Sequence, residues 1–199
     1  MLSSTAHIYI VRHGETLDNA LGKIQGSSNI SPDNELNEAG INQAKSAAAK
    51  LNTISFECRF TSDLKRAQQT LEIITDQNYK IDPRIRERDW KVWEKRTMEE
   101  FNVNPDLHWT QVESDSEVRD RGVAFLNEIG KSCLGKTILV VGHGGWMRNV
   151  LIRIFNLDCK VEDIKVGNAA YYKLEYCNNE WKMGKENDGI RIPETAFPK

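Results

Sequence analysis

Two histidines stand at the ends of two apolar runs, each followed by glycine. In "HIYIVRHGETLDN", residues 7–19, Arg12, His13 and Gly14 close the run from Ile8 to Val11. In "ILVVGHGGW", residues 138–146, His143 and Gly144 follow Val141 and Gly142. An imidazole can take a group covalently or move a proton, and a guanidinium offers a planar fork to phosphate or carboxylate. A charge at the end of a buried strand is costly unless it meets a partner. Two such ends in one chain point to a single crevice that handles an anion.

Two more charged residues fit that crevice. Arg66, in "TSDLKRAQQT", falls in the first turns of a helix beside the stripe Leu64, Ala67, Leu71. Glu87 lies in "RIRERDW", which reads as extended chain. There Ile85, Glu87 and Asp89 share one side while Arg84, Arg86 and Arg88 share the other. Glu87 then points inward with Ile85. A carboxyl partly buried beside a bound dianion is favoured in its protonated form, which suits a general acid. Asn19, in the first helix, could add a donor. Each residue alone has a plainer reading: a satisfied core histidine, a solvated helix arginine, a surface glutamate. The conjunction favours chemistry.

The elements that would position these groups alternate along the chain. "HIYIV", "FECRFTS" (stopping at Ser62) and "TILVVGHGG" read as strands. "LNEAGINQAKSAAAKLN" reads as a helix with the stripe Ile41, Ala44, Ala48, Leu51. "SDLKRAQQTLEIIT" is a helix with Ser62 as its N-cap. "EVRDRGVAFLNEIGKSC" turns Val118, Val123, Phe125, Leu126 and Ile129 to the core, and "GWMRNVLIRIF" follows the second His-Gly turn. "AAYYKLEY" and "EWKMGK", joined by "CNNE", form a C-terminal hairpin. "IRIPETAFPK" reads as a tail. Strands separated by helices argue for βαβ units and a mostly parallel sheet. The continuous runs "IYIV" and "ILVV" suit strands covered on both faces, hence a three-layer α/β/α arrangement. In such sheets ligands bind beyond the carboxyl ends of the strands, where both histidines fall. The glycines let the chain turn there, and each following helix aims free N–H groups at the crevice, which favours an anion.

The 199 residues fit one domain over positions 1–199. Lys and Arg number 27 against 29 Asp and Glu, a formal net charge of −2, so no global field favours nucleic acid or an anionic membrane. Cys58, Cys133, Cys159 and Cys177 fit neither a redox pair nor a zinc knuckle and read as reduced thiols of a cytoplasmic protein. No signal-peptide pattern opens the chain, and no apolar run approaches the ~20 residues of a membrane span.

The blocks "VRHGETLDN", "LNEAGINQA", "TSDLKRAQQT", "IRERDW", "VVGHGG" and "VGNAAYYKLEY" resemble, in order, those of the histidine phosphatase superfamily, the phosphoglycerate mutase-like proteins. The resemblance runs over residues 6–183. It implies a phosphoglycerate mutase-like fold and a metal-independent reaction with no cofactor. It makes His13 the nucleophile that forms a phosphohistidine. Arg12, Arg66 and His143 would hold the phosphoryl oxygens. Glu87 would protonate the leaving oxygen and then activate water. Asn19, Gln25, Gly26 and Gly144 match positions that touch the substrate phosphate.

Mutases of this family are typically longer, with an insertion and an E-R-H-Y-G continuation at the acid residue. Here Glu87 is followed by "RDWKVWEKRTMEEF", nearer the compact phosphatase pattern D-F-G-x-W-E-G. That favours hydrolysis of a small phosphorylated metabolite, with phosphoglycerate mutase-type transfer as the alternative. A non-catalytic phospho-ligand binding module on the same fold would have less reason to keep both nucleophile and acid. Lys91 and Lys95 stand where the pattern usually has glycine, and "SDS", Ser114 to Ser116, replaces G-E-S. Lys91, Lys95 and Arg96 either meet a second anionic group or form a solvated basic face. Trp90, Trp93, Trp109 and Trp146 either line an apolar rim or pack the core. The substrate's identity and the oligomeric state stay open.

Overall fold

The computed structural model describes residues 5–28 and 34–198. Strand β1 (Ala6–Arg12) is followed by α1 (Leu17–Ala20), α2 (Glu38–Leu51), β2 (Cys58–Thr61), α3 (Lys65–Ile74) and β3 (Lys80–Ile81). Next come α4 (Met98–Phe101), α5 (Pro105–Trp109), α6 (Asp115–Ser132), β4 (Thr137–Gly142), α7 (Gly144–Phe155), β5 (Lys165–Cys177) and β6 (Glu180–Arg191).

These form one six-stranded sheet in the order β3-β2-β4-β1-β5-β6. Strands β3, β2, β4 and β1 run parallel, and β5 is antiparallel to both β1 and β6. The period of two along β1 divides the core. Ile8 and Ile10 face one side with Ile138 and Val140, against Phe125, Leu126, Met147 and Val150 of α6 and α7. Tyr9 and Val11 face the other with Leu139 and Val141, against Leu51 of α2 and Ala67 and Leu71 of α3. Helices therefore cover both faces, as the apolar runs imply. Each fully buried aliphatic side chain contributes roughly 1.5–3 kcal/mol.

The helix stripes differ in phase from the sequence reading. Helix α2 buries Gly40, Ala44, Ala47 and Leu51, and Ile41 is exposed. Glycine stands at position 40 because the chain before α2 passes too close for a side chain. A Cβ on Gly40 would lie 2.0 Å from the Glu15 carbonyl oxygen. In α6 the buried position is Gly122 rather than Val123, since a Cβ there would meet Val150 at 2.4 Å and Trp146 at 2.7 Å. Helix α3 begins at Lys65 with Leu64, not Ser62, at the N-cap.

The hairpin turns through Asn178 and Asn179, with φ of 53° and 64°, a conformation that asparagine tolerates. Its strands extend beyond the expected segments, and β5 is bulged between Val166 and Tyr171. In the tail, Ala196 is buried and its carbonyl accepts the Asp158 amide at 2.8 Å. None of the four cysteines is in a disulfide. Among the described residues no helix is long and apolar enough to cross a membrane.

A third, smaller cluster lies apart from the sheet. Ile24, Trp93, Phe101 and Val112 pack together, with Trp90 against them. Here the extended reading of "RIRERDW" fails. Pro83–Ile85 is a short 3₁₀ turn, and the arginines do not share a solvent side. Arg88 is buried between the Trp90 and Trp109 rings, 5.4 and 5.1 Å from their centroids, and pairs with Asp115. Arg86 pairs with Asp63, and Arg84 with Asp82 and Glu128.

Candidate active site

Strands β1 and β4 are neighbours in register, with Arg12 opposite Gly142, and the His13 amide donates to the Gly142 carbonyl at 3.0 Å. The two His-Gly turns therefore meet at the carboxyl ends of two central strands. The His13 and His143 rings lie 5.1 Å apart, both buried.

Packing explains the glycine after His13 better than backbone freedom does. Gly14 does not adopt a positive φ. A Cβ on it would lie 2.4 Å from the Gly40 carbonyl oxygen at the start of α2. The Gly14 amide donates to Thr70 Oγ1 at 3.0 Å, so the turn is pinned from α3.

His13 Nδ1 lies 2.7 Å from the Gly14 carbonyl oxygen, which can only accept. The proton therefore sits on Nδ1, and Nε2 keeps its lone pair. Burial pushes the His13 pKa well below 6.5, and Arg66 and Arg12 push it further, so the ring is neutral at neutral pH. Arg66 Nε lies 3.3 Å from His13 Nε2. Arg66 is wholly buried, and its Nη2 donates to the Gly26 carbonyl at 2.9 Å. Arg12 donates through Nη1 to the Val166 carbonyl of β5 at 2.7 Å. Burial lowers each arginine to about 10, with the charge of Glu87 acting in the opposite direction on both. Both remain cationic at neutral pH.

His143 is likewise pushed well below 6.5, by burial first and then by Arg66. Ser62 Oγ lies 2.7 Å from its Nε2 and accepts the Leu64 amide at 3.1 Å. The hydroxyl proton has no other acceptor among the described residues, so it goes to Nε2 and leaves Nδ1 protonated. Ser62 thus orients His143 and does not cap α3. Three buried donors converge here without partners: Arg12 Nε, Arg66 Nη1 and His143 Nδ1.

Glu87 is fixed from two sides. Its carboxylate accepts the amides of Gly145 at 2.9 Å and Trp146 at 3.0 Å, closing the amino end of α7. A Cβ on Gly145 would lie 2.3 Å from Glu87 Oε1. These N–H groups do not face the crevice as expected. They hold the carboxylate, and of the first three residues of α7 only Gly144 keeps its N–H unengaged among the described residues. Behind the loop, Arg121 donates to the carbonyls of Arg84, Arg86 and Glu87 and to the Glu113 carboxylate.

A cavity of about 160 Å³ opens over this group, lined by Arg12, His13, Asn19, Gln25, Arg66 and Glu87 among others. The His143 ring packs against that of His13, which lines the cavity. Asn19 sits in a helix of only four residues, so it is nearer the helix start than expected. Its Oδ1 accepts from Thr16 N and Asn168 Nδ2. Gln25 donates to Thr16 Oγ1 and Asn34 Oδ1, and its Oε1 is buried without a partner. Three predicted residues, Gly26, His143 and Gly144, do not line the cavity, and the Gly26 carbonyl anchors Arg66.

In the lysine-rich loop the solvated reading fits Lys91 and Arg96, which are exposed, and Lys95 is half-buried. Lys91 and Lys95 have φ of 49° and 71°, the left-handed conformation that favours glycine. Lys95 pairs with buried Asp18 at 2.5 Å, and Arg96 stacks on Trp93. None of the three lines the cavity. Trp93 and Trp146 are core, whereas Trp90 borders the cavity. Sequence reasoning missed Asn168, Arg121 and Arg148, for which only spatial neighbours give a signal. No group of three or more His, Cys, Asp or Glu among the described residues could hold a metal ion.

The family model for the histidine phosphatase superfamily (branch 1) matches residues 8–189. The chain belongs to that superfamily. Within it, the uncharacterized phosphatase PhoE of Bacillus subtilis (strain 168) is 29% identical over 185 residues, covering 90% of this chain and 93% of the relative. The "probable phosphoglycerate mutase GpmB" of Cronobacter sakazakii is 32% identical over 190 residues, covering 87% and 86%. Among solved structures, phosphoserine phosphatase from Entamoeba histolytica, in complex with 3-phosphoglyceric acid, superposes with a TM-score of 0.81 at 25% identity. The match covers 92% of this chain and 97% of that one. This member of the superfamily has a mixed six-stranded sheet with helices on both sides.

Proposed function

We propose that this chain hydrolyses a small phosphomonoester through a phosphohistidine on His13, without a metal. One observation carries the reading. Three buried, unpartnered N–H donors, on Arg12, Arg66 and His143, surround a neutral imidazole. A buried donor left unpaired costs about 1–3 kcal/mol, so three together call for a ligand rich in acceptor oxygens. A phosphoryl group supplies three.

His13 Nε2 attacks phosphorus, and the P–O bond to the leaving group breaks. Glu87 gives its proton to the departing oxygen. Water then attacks phosphorus, Glu87 takes the water's proton, and the P–N bond breaks to release phosphate and restore His13. Arg12, Arg66 and His143 stabilise charge on the equatorial oxygens in both steps. The compact loop after Glu87 and the phosphatase names among relatives support water as acceptor.

The test is rapid quenching into alkaline detergent after mixing with a ³²P-labelled ester. A labelled protein band that His13→Ala abolishes, with phosphate released, supports the reading. Hydrolysis by His13→Ala at the wild-type rate would sink it. Phosphate transfer that needs a bisphosphorylated primer would favour the mutase.

A further inference from the structure

The phosphate cavity opens into a second chamber of about 400 Å³. The two share Glu87, Trp90, Met98 and Arg148 as walls. At this junction Arg148 projects from the second turn of α7. Its Nε is buried without a partner. No ion pair engages its guanidinium among the described residues, unlike Arg88 across the chamber, which pairs with Asp115 and the Glu113 carbonyl. An unpaired guanidinium fork beside the phosphate cavity is a ready receptor for a second anion.

The other walls restrict what that anion can be. Trp109, Met98 and Val161 offer apolar surface, while Glu87, Asp115 and Glu162 bring negative charge. A monoanion meets less repulsion there than a dianion.

We infer that Arg148 is the specificity-determining residue and that it selects a phosphomonoester carrying a carboxylate close to the ester. The inference rests on the reading that His13 takes the phosphoryl group. The carboxylate docks on the Arg148 fork, and the remainder lies along Trp109 and Met98.

A matched pair of probes tests this. 3-Phosphoglycerate and glycerol 3-phosphate differ by a carboxylate in place of a hydroxymethyl group. Calorimetry on the wild-type chain, Arg148→Gln and Arg148→Lys reads binding separately from turnover. The expected result is a preference for 3-phosphoglycerate of about ten- to a hundredfold, as for a charge-assisted hydrogen bond. Arg148→Gln removes it, and Arg148→Lys restores part. Equal affinity for both probes, or an equal loss on both in Arg148→Gln, overturns the inference. So does a stronger preference for propane-1,3-diol bisphosphate, the arm that tests a second phosphate. Phosphate release is followed in parallel. Arg148-dependent binding without release supports this inference and sinks the hydrolase reading alone.

Discussion

The rings of His13 and His143 lie 5.1 Å apart, inclined at 56°, and neither can be charged without cost in that site. Burial and the two arginines hold both pKa values well below 6.5. In the unfolded chain both take up protons as pH falls through about 6.5. Between that pH and the folded values the unfolded state binds more protons, so stability rises with pH. The contribution is complete above 6.5 and is lost as pH falls through the folded values. Each ring steepens the slope by about 1.4 kcal/mol per pH unit in that window. Urea unfolding from pH 7 to pH 5 should show it, and His13→Asn should flatten it. An unchanged slope in the variant would falsify the buried neutral assignment.

Glu87 is expected to matter according to the leaving group. An alkyl oxygen needs a proton to depart, whereas a nitrophenolate does not. Glu87→Gln should lower kcat on an alkyl phosphate by roughly 10²–10⁴ and on 4-nitrophenyl phosphate by much less. Equal losses on both would remove Glu87 from the acid role. Because the carboxylate also closes the amino end of α7, Glu87→Ala should cost about 1 kcal/mol in urea unfolding.

Arg121 does not itself line the cavity, yet it grips three carbonyls of the Glu87 loop. Arg121→Met should therefore reproduce the leaving-group bias of Glu87→Gln at a smaller size, about tenfold on the alkyl ester. Arg121→Lys should recover part of the loss. A fall that is uniform across leaving groups would mean a general loss of structure and not a loosened acid.

Lys91 and Lys95 both occupy the left-handed region, but glycine should act on them in opposite directions. Lys91→Gly relieves a strain of about 1 kcal/mol and keeps the amide bond to Asp89. The unfolding midpoint should rise. Lys95→Gly relieves the same strain but leaves the buried Asp18 carboxylate without its lysine. The net loss should be about 2 kcal/mol, below the usual figure for a buried pair because Lys95 is partly exposed. Midpoints that shift in the same direction would contradict this account.

Strands were the most legible part of the fold, because the runs Ile8 to Val11 and Ile138 to Val141 are apolar on both faces and have no other stable environment. Helix phase was less legible. In α2 and α6 the buried positions include Gly40 and Gly122, chosen by close approach of neighbouring atoms, which hydropathy does not record. The Glu87 loop was least legible. Its alternation pattern suited a strand, but Arg88 had two tryptophan faces and Asp115 to bury against, and it took them.

By itself the sequence determined which groups reach the carboxyl ends of the strands. An apolar strand followed by His-Gly leaves the imidazole at the carboxyl end of that strand. Only the tertiary structure decided that β4 lies beside β1, so that the two carboxyl ends coincide. It alone turned the Gly145 and Trp146 amides toward Glu87, fixed the His13 proton on Nδ1, and set Arg148 rather than the loop lysines at the cavity. Each of these depends on contacts between residues far apart in the chain, and no local spacing encodes them.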